Sequence, residues 1–166
     1  MFLVIMIIAL TILDQATKYI AVLMLHNTGV ITHSLWEGIF SFTYLENRGA
    51  ILSILEDKRY IFITLSTVMI LYFIYRLIFK KTDSRIFRLG MALVVAGGIG
   101  NLIDRLFRGF VVDFLYFELI NFPIFNVADS CVSIGTVILC ISLIFEDMLG
   151  KKGLQNGSEG NSRDIG

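Results

Sequence analysis

Residues 2–25 read FLVIMIIALTILDQATKYIAVLML, an apolar run interrupted only by Asp14, Gln15 and Lys18. A helix of about 20 residues crosses the ~30 Å hydrocarbon layer of a bilayer, and this run is long enough to do so. The rival reading is a cleaved signal peptide, which wants basic residues ahead of a short apolar core and a small-residue cleavage site behind it. No Lys or Arg precedes Lys18 and no A-x-A pattern follows it. The run is therefore expected to remain as a first membrane helix.

Three further blocks repeat the pattern, at 60–79, 86–103 and 127–145. Across the 166 residues, 56% are hydrophobic and 17% charged, with a mean hydropathy of +0.78. A soluble domain carries about a quarter charged residues, so the composition excludes an ordinary soluble domain and a disordered chain alike. Fourteen Lys+Arg balance fourteen Asp+Glu, which leaves no electrostatic footprint for nucleic acid. The expected fold is an all-α membrane protein of four transmembrane helices, with a small extracytoplasmic β element and a surface helix or loop.

Orientation follows from the basic residues that flank the spans. Arg76, Lys80, Lys81, Arg85 and Arg88 surround the short second connection, and Lys151, Lys152 and Arg163 lie in the tail. They outnumber Arg48, Lys58, Arg59, Arg105 and Arg108 of the longer connections. Both termini are thus expected in the cytoplasm, and segments 26–59 and 104–126 outside.

In the first outer segment, IFSFTYLE (39–46) is rich in aromatic and β-branched residues and is expected to form a strand. Trp36 beside it suits the headgroup level. Residues 106–122 are aromatic with scattered charges, as in a segment lying on the membrane surface. Residues 1–149 form one membrane domain, and 150–166, rich in Gly, Ser and Asn, are expected to be a disordered tail. Cys131 and Cys140 fall about 13 Å apart on one helix, too far to bond, and are expected as buried small apolar residues.

A charge inside a span costs roughly 2.5–3.5 kcal/mol on insertion scales, so each one requires a reason. Asp14 and Lys18 lie one turn apart on one helix face. They can neutralise each other, with Lys18 snorkelling toward the outer surface, and they can line a polar cavity. On the third helix Asn101 shares a face with both Asp104 and Arg105, while Gly97, Gly98 and Gly100 allow close approach of another backbone or a substrate. Asp113 stands in VVDF, flanked by apolar residues. Asp129 stands in FNVADS at the start of the fourth helix, where a helix-capping role is the plain alternative, and Asn126 precedes it by three. Two carboxylates in a partly desolvated site do not both ionise easily. One can then draw a proton from water while the other donates to a peptide carbonyl, which is aspartic-protease chemistry.

At these residues the chain resembles the lipoprotein signal peptidase (signal peptidase II) family of bacterial membrane aspartic peptidases. DQATKYI (14–20), NRGA (47–50), GGIGNLIDR (97–105), VVDF (111–114) and FPIFNVADS (122–130) carry the resemblance, in order and with the four-span layout. It implies removal of the signal peptide from a diacylglyceryl-modified prolipoprotein, before the lipidated cysteine, at the outer face of the cytoplasmic membrane. Asp113 and Asp129 match the family's catalytic pair. Asn47, Gly97, Asn101, Arg105, Asn126 and Ala128 match positions that line or contact the substrate site. Asp14, Lys18, Gly49 and Asp104 match supporting positions. The strand near 39–46 resembles the family's extracytoplasmic cradle, and the segment after Arg105 its surface helix. Members often carry an aromatic residue soon after the Asn-x-Gly motif, where this chain has Ile51 and Leu52.

The dyad chemistry needs no metal and no cofactor is expected; the resemblance implies a multi-pass protein of the bacterial cytoplasmic membrane with prolipoprotein and membrane lipids as partners, and a monomer is expected. The alternative from another class is a proton-coupled transporter or channel, because intramembrane acids also mark ion pathways. Its usual internal repeats are missing here. No HExxH or G-x-S-x-G motif occurs, and His26 and His33 read as surface residues.

Overall fold

The computed structural model describes residues 1–29, 32–49, 59–80 and 84–161, with side chains as far as Phe145. Ala50 to Leu52, including the two positions that depart from the family pattern, lie outside the described residues, as do Lys81 and residues 162–166.

Among the described residues, four helices are long and apolar enough to cross a membrane. The first, α1 (Phe2–Ala21), is prolonged by a π-helical turn at Val22–His26. Next come α2 (Arg59–Phe79), α3 (Arg85–Phe107) and α4 (Val127–Asn161). In α4 the apolar span ends at Phe145, but the helix continues to Asn161, through most of the 150–166 stretch that the sequence predicts to be disordered. Extending an existing helix is easier than nucleating a new one.

Helix α3 stands at the centre, and each of the other three packs against it. Small residues make this possible: Ala92, Ala96, Gly97, Gly98 and Gly100 are all buried. Its glycines face different neighbours. A Cβ on Gly97 would run into the carbonyl of Ala128 at the start of α4, one on Gly98 would meet Ile70 of α2 at 3.1 Å, and one on Gly100 would come within 2.5 Å of the Asp14 carboxylate of α1. Lower in the bundle, Ser84 caps α3 by accepting the Phe87 N–H at 3.1 Å, and its hydroxyl lies 3.1 Å from that of Ser142 on α4. The outward faces of α1, α2 and α4 keep Ile5, Ile8, Leu65, Leu71, Val137 and Ile141 exposed, the surface a bilayer covers. Cys131 is buried as expected, but Cys140 is exposed, because its side of α4 faces outward rather than toward α3.

One antiparallel sheet lies at the end of the bundle where α3 finishes. Its strands β1 (Thr32–Trp36), β2 (Phe40–Asn47) and β3 (Val111–Phe117) run in that spatial order. Gly38, at φ +72°, turns β1 into β2. The segment after Arg105, expected as a surface helix, is β3 followed by a single 3-10 turn at Glu118–Ile120. The reason is local. Gly109 adopts φ +88° directly after α3 and reverses the chain. VVDFLYF is then β-branched and aromatic and pairs along the edge of β2.

The contacts at Gly97 and Gly98 differ in what would have to move. Gly97→Ala must displace α4 backbone, so a loss of about 1–3 kcal/mol is expected. Gly98→Ala meets only side chains, those of Ile70 and Met69, and should lose under about 1 kcal/mol. Thermal unfolding of the two purified variants in detergent checks the difference.

Candidate active site

Lys18 is fully buried and does not snorkel outward. Its ammonium has three protons and finds three acceptors: Asp14 Oδ2 at 3.0 Å, Asp104 Oδ2 at 3.0 Å and Asn101 Oδ1 at 2.9 Å. With every donor satisfied, the side chain gains nothing by reaching for water. The acids carry the connection further. Asp104 Oδ2 accepts the Val112 N–H of β3 at 3.2 Å, and Oδ1 lies 3.3 Å from Arg108 Nε. Asp14 Oδ1 accepts the Ala128 N–H at the start of α4 at 2.9 Å. One lysine thus ties α1, α3, β3 and α4 together.

The start of α4 is a reciprocal cap. Asn126 Oδ1 accepts the Asp129 N–H at 2.8 Å, and Asp129 Oδ2 accepts the Asn126 N–H at 3.2 Å. Asn126 is therefore the capping residue, and Asp129 its partner three residues on. This leaves Asp129 Oδ1 for Asn101, whose Nδ2 donates to it at 2.8 Å.

Asp113 reaches the same place from the sheet. Leu45 pairs with Asp113 and Asn47 with Val111, so Asn47 and Asp113 are diagonal neighbours on one face. Asn47 Nδ2 donates to Asp113 Oδ2 at 2.8 Å, and Asn126 Nδ2 donates to Asp113 Oδ1 at 2.6 Å. Asn126 therefore touches both candidate carboxylates, one through its side chain and one through its backbone. Burial pushes the Asp113 carboxyl up to about 7, and the Asp129 charge adds to the effect. The Asn47 and Asn126 hydrogen bonds and the Lys18 charge oppose it.

The remaining site residues divide by exposure. Gly97, Asn126 and Ala128 are buried and form the frame rather than an accessible lining. Asn47, Asn101, Arg105 and Asp129 are half-buried and remain partly accessible. The Gly49 N–H donates to Asn47 Oδ1 at 3.1 Å, which turns the Asn47 amino group toward Asp113. Arg105 Nη2 lies 3.5 Å from Gly49 O, and its guanidinium sits 5.1 Å from the centre of the Phe62 ring. Two participants escape a reading of the sequence. Phe62 is one of fourteen phenylalanines with no local signal to mark it. Gln15, whose Nε2 donates to Gly100 O and Asp14 Oδ2, both at 3.1 Å, is marked only by its polarity within an apolar run.

A groove of about 490 Å³ between α1 and the sheet, bordered by Met24, Leu25, Phe42 and Phe114, is a different place. Phe114 follows Asp113 and points to the other face of the strand. The acids converge as pairs around amide groups, and among the described residues no three His, Cys, Asp or Glu side chains gather as a metal site would require.

The model of the family described as signal peptidase (SPase) II matches residues 6–145. The chain belongs to the signal peptidase II family. It is 42% identical over 147 residues to a lipoprotein signal peptidase of Clostridium tetani, covering 87% of this chain and 93% of that one. It is 46% identical over 110 residues to one of Streptococcus pneumoniae, covering 66% and 72%. A solved bacterial membrane enzyme, determined in meso at 2.3 Å resolution, superposes with a TM-score of 0.78 at 28% identity, covering 88% of this chain and 89% of that one. Signal peptidase II membership makes the chain a peptidase and a multi-pass bacterial membrane protein.

Removing the lysine leaves two buried acids without their shared cation. Lys18→Met is expected to destabilise the fold by about 3–5 kcal/mol, the range for breaking a buried ion pair from one side. Denaturant unfolding in detergent micelles measures it, and a loss below about 1 kcal/mol would contradict the role given to Lys18.

Proposed function

We propose that this signal peptidase II cleaves diacylated prolipoproteins before the lipidated cysteine, using Asp113 and Asp129 as an aspartic dyad. The observation that carries the reading is the contact of one buried residue, Asn126, with both carboxylates. A frame this specific holds two acids from a strand and a helix at one spot, although repulsion and desolvation both oppose their meeting.

The chemistry follows from the pair. One carboxylate takes a proton from water as its oxygen attacks the scissile carbonyl, and the other donates its proton to the carbonyl oxygen. A neutral tetrahedral diol results. Collapse breaks the C–N bond, the first carboxyl gives its proton to the departing nitrogen, and the second recovers one from the diol. Water is consumed, an acid and an amine form, and the dyad returns to its starting state without a metal or a covalent intermediate.

The asymmetry of basic residues supports cytoplasmic termini, with the sheet and both acids at the outer membrane surface. An exported substrate tethered by its acyl chains presents its cleavage site at that level. Arg105 and Asn47, both half-buried, are suited to hold the peptide backbone, while the acyl chains remain in the lipid phase. The chain acts as a monomer in this reading, because one copy supplies every group the chemistry uses.

Asp113→Asn and Asp129→Asn are each expected to lower kcat/KM by ~10²–10⁴-fold or more while the protein still inserts and folds. A gel-shift assay on a diacylated prolipoprotein measures this, with circular dichroism as the folding control. EDTA should leave the wild-type rate unchanged, and full activity in either variant would remove that aspartate from the mechanism. Arg105→Ala should lower kcat/KM by about 10- to 100-fold, the worth of a charge-assisted hydrogen bond of about 1.5–3 kcal/mol. An unchanged value would mean that Arg105 does not hold substrate.

A further inference from the structure

We propose that the proton of the dyad rests on Asp113, leaving Asp129 as the carboxylate that takes a proton from the attacking water, and that Asn101, oriented by Lys18, is the positioning residue that enforces this division. The inference rests on the aspartic-dyad reading above and assigns its two halves.

Both acids accept two N–H groups, so the number of hydrogen bonds does not separate them. What stands behind those donors does. Asn101 donates to Asp129 Oδ1 at 2.8 Å while its own carbonyl oxygen accepts from the Lys18 ammonium at 2.9 Å. An ammonium cannot accept a hydrogen bond, so the carboxamide has one permitted orientation, and its N–H faces Asp129 polarised by a buried cation. Asp129 Oδ2 accepts a backbone N–H at 3.2 Å in the first turn of α4, where the helix dipole favours an anion. Asp113 has weaker support. Its donors are the carboxamides of Asn47 and Asn126, whose oxygens are held by the N–H groups of Gly49 and Asp129. No helix begins beneath it.

Burial points the same way. Asp113 is 1% exposed and Asp129 half-buried, so solvent reaches only the Asp129 side of the pair. The charged groups around the pair are Asp14 and Lys18 on α1 and Asp104 and Arg105 on α3. Asp14 and Asp104 are both paired with Lys18. Burial and the neighbouring Asp129 charge together push the Asp113 carboxyl up to about 7.

In the resulting sequence a water proton passes to Asp129 as the C–O bond forms, and the Asp113 proton passes to the carbonyl oxygen. During collapse Asp129 protonates the leaving nitrogen and Asp113 takes a proton back from the diol.

The pH profile of kcat/KM separates the two assignments. The active form holds one proton, between an acid limb and an alkaline limb that belong to the pair. Loss of the Asn101 hydrogen bond raises the energy of ionised Asp129. With the proton on Asp113, the singly protonated and fully ionised forms rise together. In Asn101→Ala the acid limb should then move up by about one pH unit while the alkaline limb stays. With the proton on Asp129 only the alkaline limb would move, and that result, or movement of neither limb, overturns the proposal.

Asn47→Ala is the mirror experiment: its alkaline limb should rise, and a rise of the acid limb alone overturns the assignment. Should either variant be too inactive for a profile, infrared spectra of the Asp→Asn variants near neutral pH decide. The protonated-carboxyl band should vanish in Asp113→Asn and persist in Asp129→Asn, and the reverse pattern overturns the proposal. A bell-shaped wild-type profile, with both Asp→Asn variants inactive, upholds the dyad separately from where its proton lies.

Discussion

A single ammonium group, sealed from water and met by three oxygens, is the constraint on which the site depends. Lys18 binds Asp14, Asp104 and Asn101, and each of these reaches one step further. Asp14 fixes the start of α4, Asp104 fixes the start of β3, and Asn101 fixes the carboxylate of Asp129. A buried ion pair is weak evidence for stability as such. Here its value is geometric: one centre sets the relative positions of the two elements that carry the candidate acids.

Carboxamides complete what the lysine begins. Asn47, Asn101 and Asn126 each present N–H to a carboxylate, and each has its oxygen held by a donor that cannot exchange roles: a backbone N–H, an ammonium and another backbone N–H. An asparagine can flip when both ends see similar partners. These cannot, so the acids sit among fixed dipoles rather than adaptable ones, which is the preorganisation that electrostatic catalysis requires. The glycines of α3 provide the room. Without the close approach at Gly97 and Gly100, α4 and α1 could not come near enough for Asp14 to reach the Ala128 N–H.

The sheet shows why the surface segment was hard to read in advance. VVDFLYF carries the composition of a strand, yet its aromatic residues equally suit a helix lying on a membrane. Only the free edge of β2 decides between them. The length and hydropathy of the spans are local properties and could be read directly. The snorkelling expected of Lys18 failed for the opposite reason, since two of its three acceptors, Asn101 and Asp104, come from a helix more than 80 residues away along the chain.

The sequence by itself determined that the chain is a membrane protein of four spans, because apolar length is set residue by residue against the thickness of a bilayer. It also marked Asp14, Lys18, Asp104, Asp113 and Asp129 as groups needing a reason, because a charge among apolar neighbours is conspicuous without any coordinates. Only the tertiary structure decided what those reasons are. That Asn126 also contacts Asp113, that Lys18 also binds Asp104, and that Phe62 backs Arg105 are long-range contacts. Their spacing along the chain carries no periodic signal, and they exist only once α3 has drawn the other three helices around itself.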